Sequence, residues 1–252
     1  MSLWSPRLIA HRGVPKRLPE NTLVGFRQAV EEGADVLETD LWLTADGAIV
    51  CHHDRTLERV TDRAGAIPEL LLAEVRQARV WRSDHGSFGV SDPIPTLAQL
   101  LAAVPASVGL ALELKDPHFG APEAARLLLA AIEDRVAAGT VMLLGFEEAL
   151  LWAARRSDSR VWIAKIEEYG PQPRFAGNGI GTVPQAMAAN PDYMAAARAQ
   201  GLWVCPLDPE PEPRLDWYRQ LGVDALLTDD VAVTRSALLS PSRPRTGSGL
   251  GP

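Results

Sequence analysis

Short apolar runs rich in Val, Ile and Leu alternate with longer amphipathic runs along most of the chain. Apolar residues recurring three and four positions apart predict a helix, and a brief apolar run between turn residues predicts a strand. A first strand is therefore expected over 8–10. Residues 22–32 carry Leu23, Phe26, Ala29 and Val30 at helical spacing, with Asn21 or Thr22 as N-cap and Gly33 as terminator. A second strand covers 36–44, and Ala45-Asp46-Gly47 turns it into a partner over 48–52, Asp-Gly being a strong tight-turn signal. Helix 97–104, strand 108–114, helix 122–138, strand 141–146, helix 147–156 and strand 161–166 follow. Residues 169–184, rich in Gly and Pro, are expected to be mostly loop with a short strand near Ile180. Helix 191–200, strand 202–205, helix 214–221, strand 225–228 and a last helix over 231–239 complete the pattern.

That is eight β/α units, the number a closed parallel barrel requires, so the predicted fold is α/β, a (β/α)8 TIM barrel. An open doubly wound sheet is the alternative, but no Gly-x-Gly-x-x-Gly follows the first strand. One catalytic domain is expected over 1–239. It includes an irregular insertion over about 55–95, after the second strand and beside the barrel mouth. Residues 240–252, rich in Pro, Ser, Gly and Arg, are expected to form a disordered tail.

Composition narrows the partners. The net charge of −7 argues against non-specific nucleic-acid binding but says nothing about a small phosphate ligand. No apolar run approaches the roughly 20 residues that span a bilayer, so stable membrane insertion is not expected. The first residues do not resemble a secretory signal. Cys51 and Cys205 are the only cysteines and read as buried small apolar residues, so a reduced, cytoplasmic protein is expected. Oligomeric state is left open.

The charged residues are placed unusually. Residues two apart on a strand share a face. Glu38 and Asp40 form such a pair near the end of the second strand, and Glu113 and Lys115 form another at the end of 108–114. His11 and Arg12 directly follow the first strand, and His53 and Asp54 close the hairpin. Charges at the interior ends of apolar strands cost several kcal/mol unless paired or metal-bound. All of these fall at C-terminal strand ends, where barrel enzymes build their sites. Three neighbouring carboxylates repel without a cation, and all-oxygen ligation suits Mg2+ or Ca2+. Two histidines beside them can serve as acid and base near neutral pH.

The ordered pieces His-Arg-Gly (11–13), Pro-Glu-Asn-Thr (19–22), Glu-x-Asp (38–40), Thr-x-Asp-Gly (44–47) and His-Asp (53–54) resemble the N-terminal signature of glycerophosphodiester phosphodiesterases. The later IPTLAQLLAAV, LALELK and LGVDALLTDD fit the same family, so the resemblance covers about 7–232. It implies that His11 and His53 are the catalytic histidines and that Glu38, Asp40 and Glu113 hold one divalent cation, Mg2+ or Ca2+. It also implies that Arg12 and Lys115 contact the phosphate. The reaction would be hydrolysis of a small-molecule glycerophosphodiester to an alcohol and glycerol 3-phosphate, and which histidine is the base stays open. Two other readings are a phospholipase D-like hydrolase of lysolipids and a non-catalytic barrel that binds phosphate esters. The seventh strand departs from the family's Trp-Thr-Val-Asn-like run with Trp203-Val-Cys-Pro-Leu-Asp-Pro, and the fourth ends in Gly145-Phe146 where Ser-Phe is common.

Several residues have plainer readings. His52, next to His53, is expected to point the other way. His85 and His118 are read as solvated loop residues, and Glu113 with Lys115 alternatively as a structural ion pair. Asp54 either caps its turn or orients His53. Trp42 shares the face of Glu38 and Asp40, as a pocket wall or as core. Asp229 and Asp230 are expected to cap the last helix.

Overall fold

The structure, a computed structural model, describes residues 6–170 and 172–240. Its strands are β1 (Arg7–His11), β2 (Val36–Leu43), β3 (Ile49–Cys51), β4 (Arg79–Ser83), β5 (Gly86–Pro93), β6 (Gly109–Leu114), β7 (Val141–Gly145), β8 (Trp162–Ile166), β9 (Gly179–Thr182), β10 (Trp203–Pro206) and β11 (Ala225–Thr228). Eight of them form a parallel sheet in the order β10-β9-β8-β7-β6-β2-β1-β11, a nearly closed barrel with helices between strands; β3 is an antiparallel partner of β2. Barrel strands are covered on both faces, which is why all eight residues of β2 are buried. The outward face, with Leu8, Leu37, Leu112 and Ile163, packs against the helices. The inward face carries Ile9, Val36, Ala111, Cys205, Ala225 and Leu227.

One polar device recurs around the barrel floor. The residue immediately before β2, Asp35, exchanges bonds with Leu8 of β1: its N–H donates to Leu8 O and its carboxylate accepts Leu8 N–H at 2.9 Å. Asn178, before β9, does the same with Ile163 of β8, and Asp224, before β11, with Val204 of β10. Each also gives its carbonyl to a further strand, at Gly109, Trp203 and Arg7 respectively. Between β10 and β11 this staple replaces a ladder. Alternate amides of β10 point to opposite neighbours, Trp203 and Leu207 toward β9 and Val204 toward β11. Pro206 has the parity of Val204 and no N–H to give, so the β10–β11 seam lacks its next bond.

Departures from the expected elements are local. The helix expected over 122–138 breaks at Ile132 into Pro122–Ala131 and Glu133–Ala137. Beyond the break, the buried Arg135 donates to the carbonyls of Val104, Ala106 and Val108. A helix over Pro184–Ala189 starts on the last residue of the stretch read as loop and fills the gap before the next expected helix. The insertion carries its own hydrophobic cluster, with Leu57, Val60, Ile67, Val80 and Ile94 packed on Val50 and Trp42. Trp42 is thus core beneath the insertion, and its Nε1 donates to His53 O. Most of the expected tail, 241–252, lies outside the described residues.

Candidate active site

Backbone geometry at the end of β1 sets the site. Arg12 (φ 55°) and Gly13 (φ 95°) are both left-handed, turning the chain sharply after His11. A Cβ on Gly13 would meet the backbone of Gly25 at 2.9 Å, so only glycine fits that crossing. The turn aims Arg12 N–H at Glu38 and lays the guanidinium over the acidic cluster, with Nε 3.4 Å from Asp40 Oδ2 and Nη1 3.3 Å from Glu20 Oε1.

The Pro-Glu-Asn-Thr run is a bracket for the same group. Glu20 binds both Arg12 and Arg59. Asn21, also left-handed at φ 53°, donates to Asp40 Oδ2 at 3.0 Å and accepts Thr39 Oγ1 at 2.6 Å. Thr22 caps the helix Leu23–Glu31 by accepting Gly25 N–H. Each motif residue therefore orients another residue of the site or starts the helix behind it.

Glu38, Asp40 and Glu113 are buried and converge, one carboxylate oxygen from each lying within 4.8 Å of the others. Lys115 Nζ stands 2.7 Å from Glu113 Oε1 and 3.4 Å from Asp40 Oδ1. These are ion-pair distances, yet both oxygens lack a hydrogen bond of good geometry. Burial works against the charge of Asp40, but Arg12, Lys115 and His53 outweigh it and hold its carboxyl at about 2. Burial and the Asp40 charge push Glu113 up to about 7 and Glu38 well above its ordinary range. Three such oxygens, two of them orphaned, fit a hard divalent cation.

The histidines flank this cluster, and both line the pocket with Arg12, Glu38, Glu113 and Lys115. His53 Nδ1 lies 2.7 Å from Asp54 Oδ1, and Asp54 is held by Arg59, which also binds Glu20 and Asp84. His11 Nδ1 lies 2.7 Å from Asp229 Oδ1. His52 turns away, with Nε2 3.1 Å from Thr56 O. Across the pocket the wall is largely apolar, with Leu144, Phe146, Ile166, Leu207, Pro209 and Leu227, and carries one carboxylate, Glu168. The Phe146 ring lies 5.7 Å from Lys115 Nζ. Asp208 of the atypical seventh-strand segment faces away from the pocket, bound by Arg214 and Tyr218.

All seven residues singled out from the sequence thus meet at one mouth. Two expectations are corrected. His85 is not a merely solvated loop residue: its Nε2 is 2.6 Å from Asp229 Oδ2. Asp230 caps the last helix through Val233 N–H, but Asp229 bridges His11 and His85 instead. Asp116 claims His118 Nδ1, although that ring is largely exposed. Sequence reasoning passed over Glu20, Asn21 and Arg59; the first two lay inside a motif already noted, whereas Arg59 and His85 carried no local signal.

Comparison with known proteins finds relatives along most of the chain. A Mycobacterium tuberculosis protein named "probable glycerophosphodiester phosphodiesterase 1" is 29% identical over 242 residues, covering 86% of this chain and 87% of its own. The glycerophosphodiester phosphodiesterase of Caldanaerobacter subterraneus is 26% identical over 228 residues, covering 88% and 93%. An Oleispira antarctica phosphodiesterase, solved in complex with the product sn-glycerol-3-phosphate, shares the fold at a TM-score of 0.81 and 24% identity, over 93% of this chain and 97% of that one. The family model that matches runs over residues 11–233, from the first site histidine to just past Asp229, and on that match the chain belongs to the glycerophosphoryl diester phosphodiesterase family.

Proposed function

We propose that this protein hydrolyses a small glycerophosphodiester to an alcohol and glycerol 3-phosphate. The observation that carries the reading is the convergence of Glu38, Asp40 and Glu113 with two pocket-lining histidines and two half-buried basic side chains, Arg12 and Lys115, at one barrel mouth. The product bound by the Oleispira relative has the same chemistry. A divalent cation held by the three carboxylates, Mg2+ or Ca2+, would neutralise charge on a phosphate oxygen. Arg12 and Lys115 bind the other non-bridging oxygen and fix the ester across the cluster. One of His11 and His53 removes a proton from the nucleophile, water or the neighbouring glycerol hydroxyl. The other protonates the leaving oxygen on the far side of the phosphorus, as in-line displacement requires.

The apolar wall supports a second reading, an alcohol with an apolar substituent as in a lysolipid. One assay separates the possibilities. Purified protein is given glycerophosphocholine or lysophosphatidylcholine with Mg2+ or Ca2+, and glycerol 3-phosphate or choline release is followed. We expect glycerol 3-phosphate release that chelation abolishes and a hard cation restores. Turnover that survives exhaustive chelation overturns the metal role; no release from either substrate leaves only a binding barrel.

A further inference from the structure

We infer that Asp229 and His85 form a positioning pair for His11, so that a residue of the insertion after β2 completes the acid–base apparatus at the neighbouring ends of β1 and β11. The inference rests on the hydrolytic reading of the site and goes beyond it in assigning these two residues.

Asp229, at the end of β11, is buried and accepts at both oxygens, from His11 Nδ1 at 2.7 Å and from His85 Nε2 at 2.6 Å. Burial works against its charge, but the two imidazoles outweigh that and keep the carboxyl below its ordinary range. An ionised carboxylate can only accept, so both ring nitrogens facing it carry protons. His11 is thereby held as the Nδ1–H form with Nε2 left for the pocket, since the bond made by one ring nitrogen selects the state of the other. The arrangement parallels His53, whose Asp54 is pinned by Arg59.

His85 reaches Asp229 from the far side because β4 and β5 are joined by the two-residue turn Asp84-His85, with Ser83 paired to Gly86. Gly86 at φ 132° permits the reversal. Ser83 Oγ donates to Pro15 O and accepts His85 N–H, docking the turn on the loop after β1. The adjacent Asp84 pairs with Arg59 at 2.7 Å. One turn therefore touches the supports of both histidines. Packing alone would need neither the Asp229 bond nor an N–H at the position of Nε2.

The test compares D229N, H85A and H85Q with the wild type on glycerophosphocholine plus Ca2+. A glutamine amide can place an N–H near the His85 Nε2 position. We expect D229N to lose about 100-fold or more in kcat with little change in KM. H85A should lose about tenfold, and H85Q should recover most of that. Equal kcat for H85A and H85Q, or losses confined to KM, overturns the inference. A readout independent of turnover is the 15N resonances of the His11 ring in the folded wild type, assigned by single substitution. A proton on Nδ1 is expected; a ring protonated on Nε2 alone overturns the inference even if every variant misfolds. Absence of turnover in the wild type overturns the hydrolytic reading alone, because the ring resonances still decide the positioning.

Discussion

His52 and His53 are adjacent in the chain and opposite in surroundings, which makes them a direct test at the scale of single residues. His53 lines the pocket beside Asp54, whereas His52 is buried with Nε2 on Thr56 O, and burial lowers its pKa. His11→Ala and His53→Ala should each lower kcat by at least ~100-fold. His52→Ala should instead lower the melting temperature, because it empties a buried site and takes the Nε2 partner from the half-buried Thr56 carbonyl, and keep most of the turnover. A nitrophenyl leaving group should rescue whichever pocket mutant lacks the acid and leave the base mutant impaired. A folded His52→Ala protein as inactive as His53→Ala would overturn the register. Period-two spacing made these assignments legible, since it puts Glu38 with Asp40 and separates His52 from His53. Asp229 and His85 were not legible, because their contact spans 144 residues and neither lies on a periodic run. Asp229 also sits beside Asp230, the true helix cap, and nothing local distinguishes the two.

Among the elements, the barrel strands were read more surely than the pieces of helix between them, whereas β4 and β5 of the insertion were not read. Alternating apolar runs such as 225–228 and the amphipathic run 231–239 coincide with β11 and the final helix. The break at Ile132 was not visible, because both sides of it are good helix formers and no Gly or Pro marks it. Pro184 was counted as a loop signal although a proline equally opens a helix. The missing ladder bond at Pro206 leaves the β10–β11 seam resting on Asp224, through its backbone N–H to Val204 O and its carboxylate on Val204 N–H. Asp224→Ala should cost about 1–2 kcal/mol in denaturant unfolding, the scale of a lost buried partner. Amide exchange at Val204 should accelerate in the same variant. Asp224→Asn should stay near wild type, because Asn178 serves the equivalent seam as an amide. Identical stability for the alanine and wild-type proteins would show that the seam is held by packing instead.

For the whole molecule, the acidic cluster links folding, protons and metal. Glu113 has a pKa of about 7 in the folded protein against an ordinary 4.5, so the folded state binds its proton more tightly than the unfolded chain does. Stability of the metal-free protein should therefore fall as pH rises from about 4.5 through about 7, with Glu38, also raised above its ordinary range, contributing in the same sense. Asp40, held at about 2, acts in the opposite sense and only below its ordinary pKa of 3.8. A divalent cation competes with the Glu113 proton, so the rise in melting temperature on adding saturating Ca2+ should be larger at pH 8 than at pH 5.5. The same rise at both values would mean that the cation binds elsewhere. The insertion's separate hydrophobic cluster adds a second body of packing at the mouth, where the sequence offered only irregular spacing and scattered glycines. The floor staples carry a consequence for how such a molecule can be recombined. Among the described residues each floor staple joins two strands consecutive within the barrel, β1 to β2, β8 to β9 and β10 to β11, and no floor staple joins β2 to β6, β7 to β8 or β9 to β10. Chimeras with a related barrel keep every staple when the crossover falls between these pairs, and separate a staple from its partner strand when it falls inside one, so the unit of exchange is a quarter of the barrel and not a single strand.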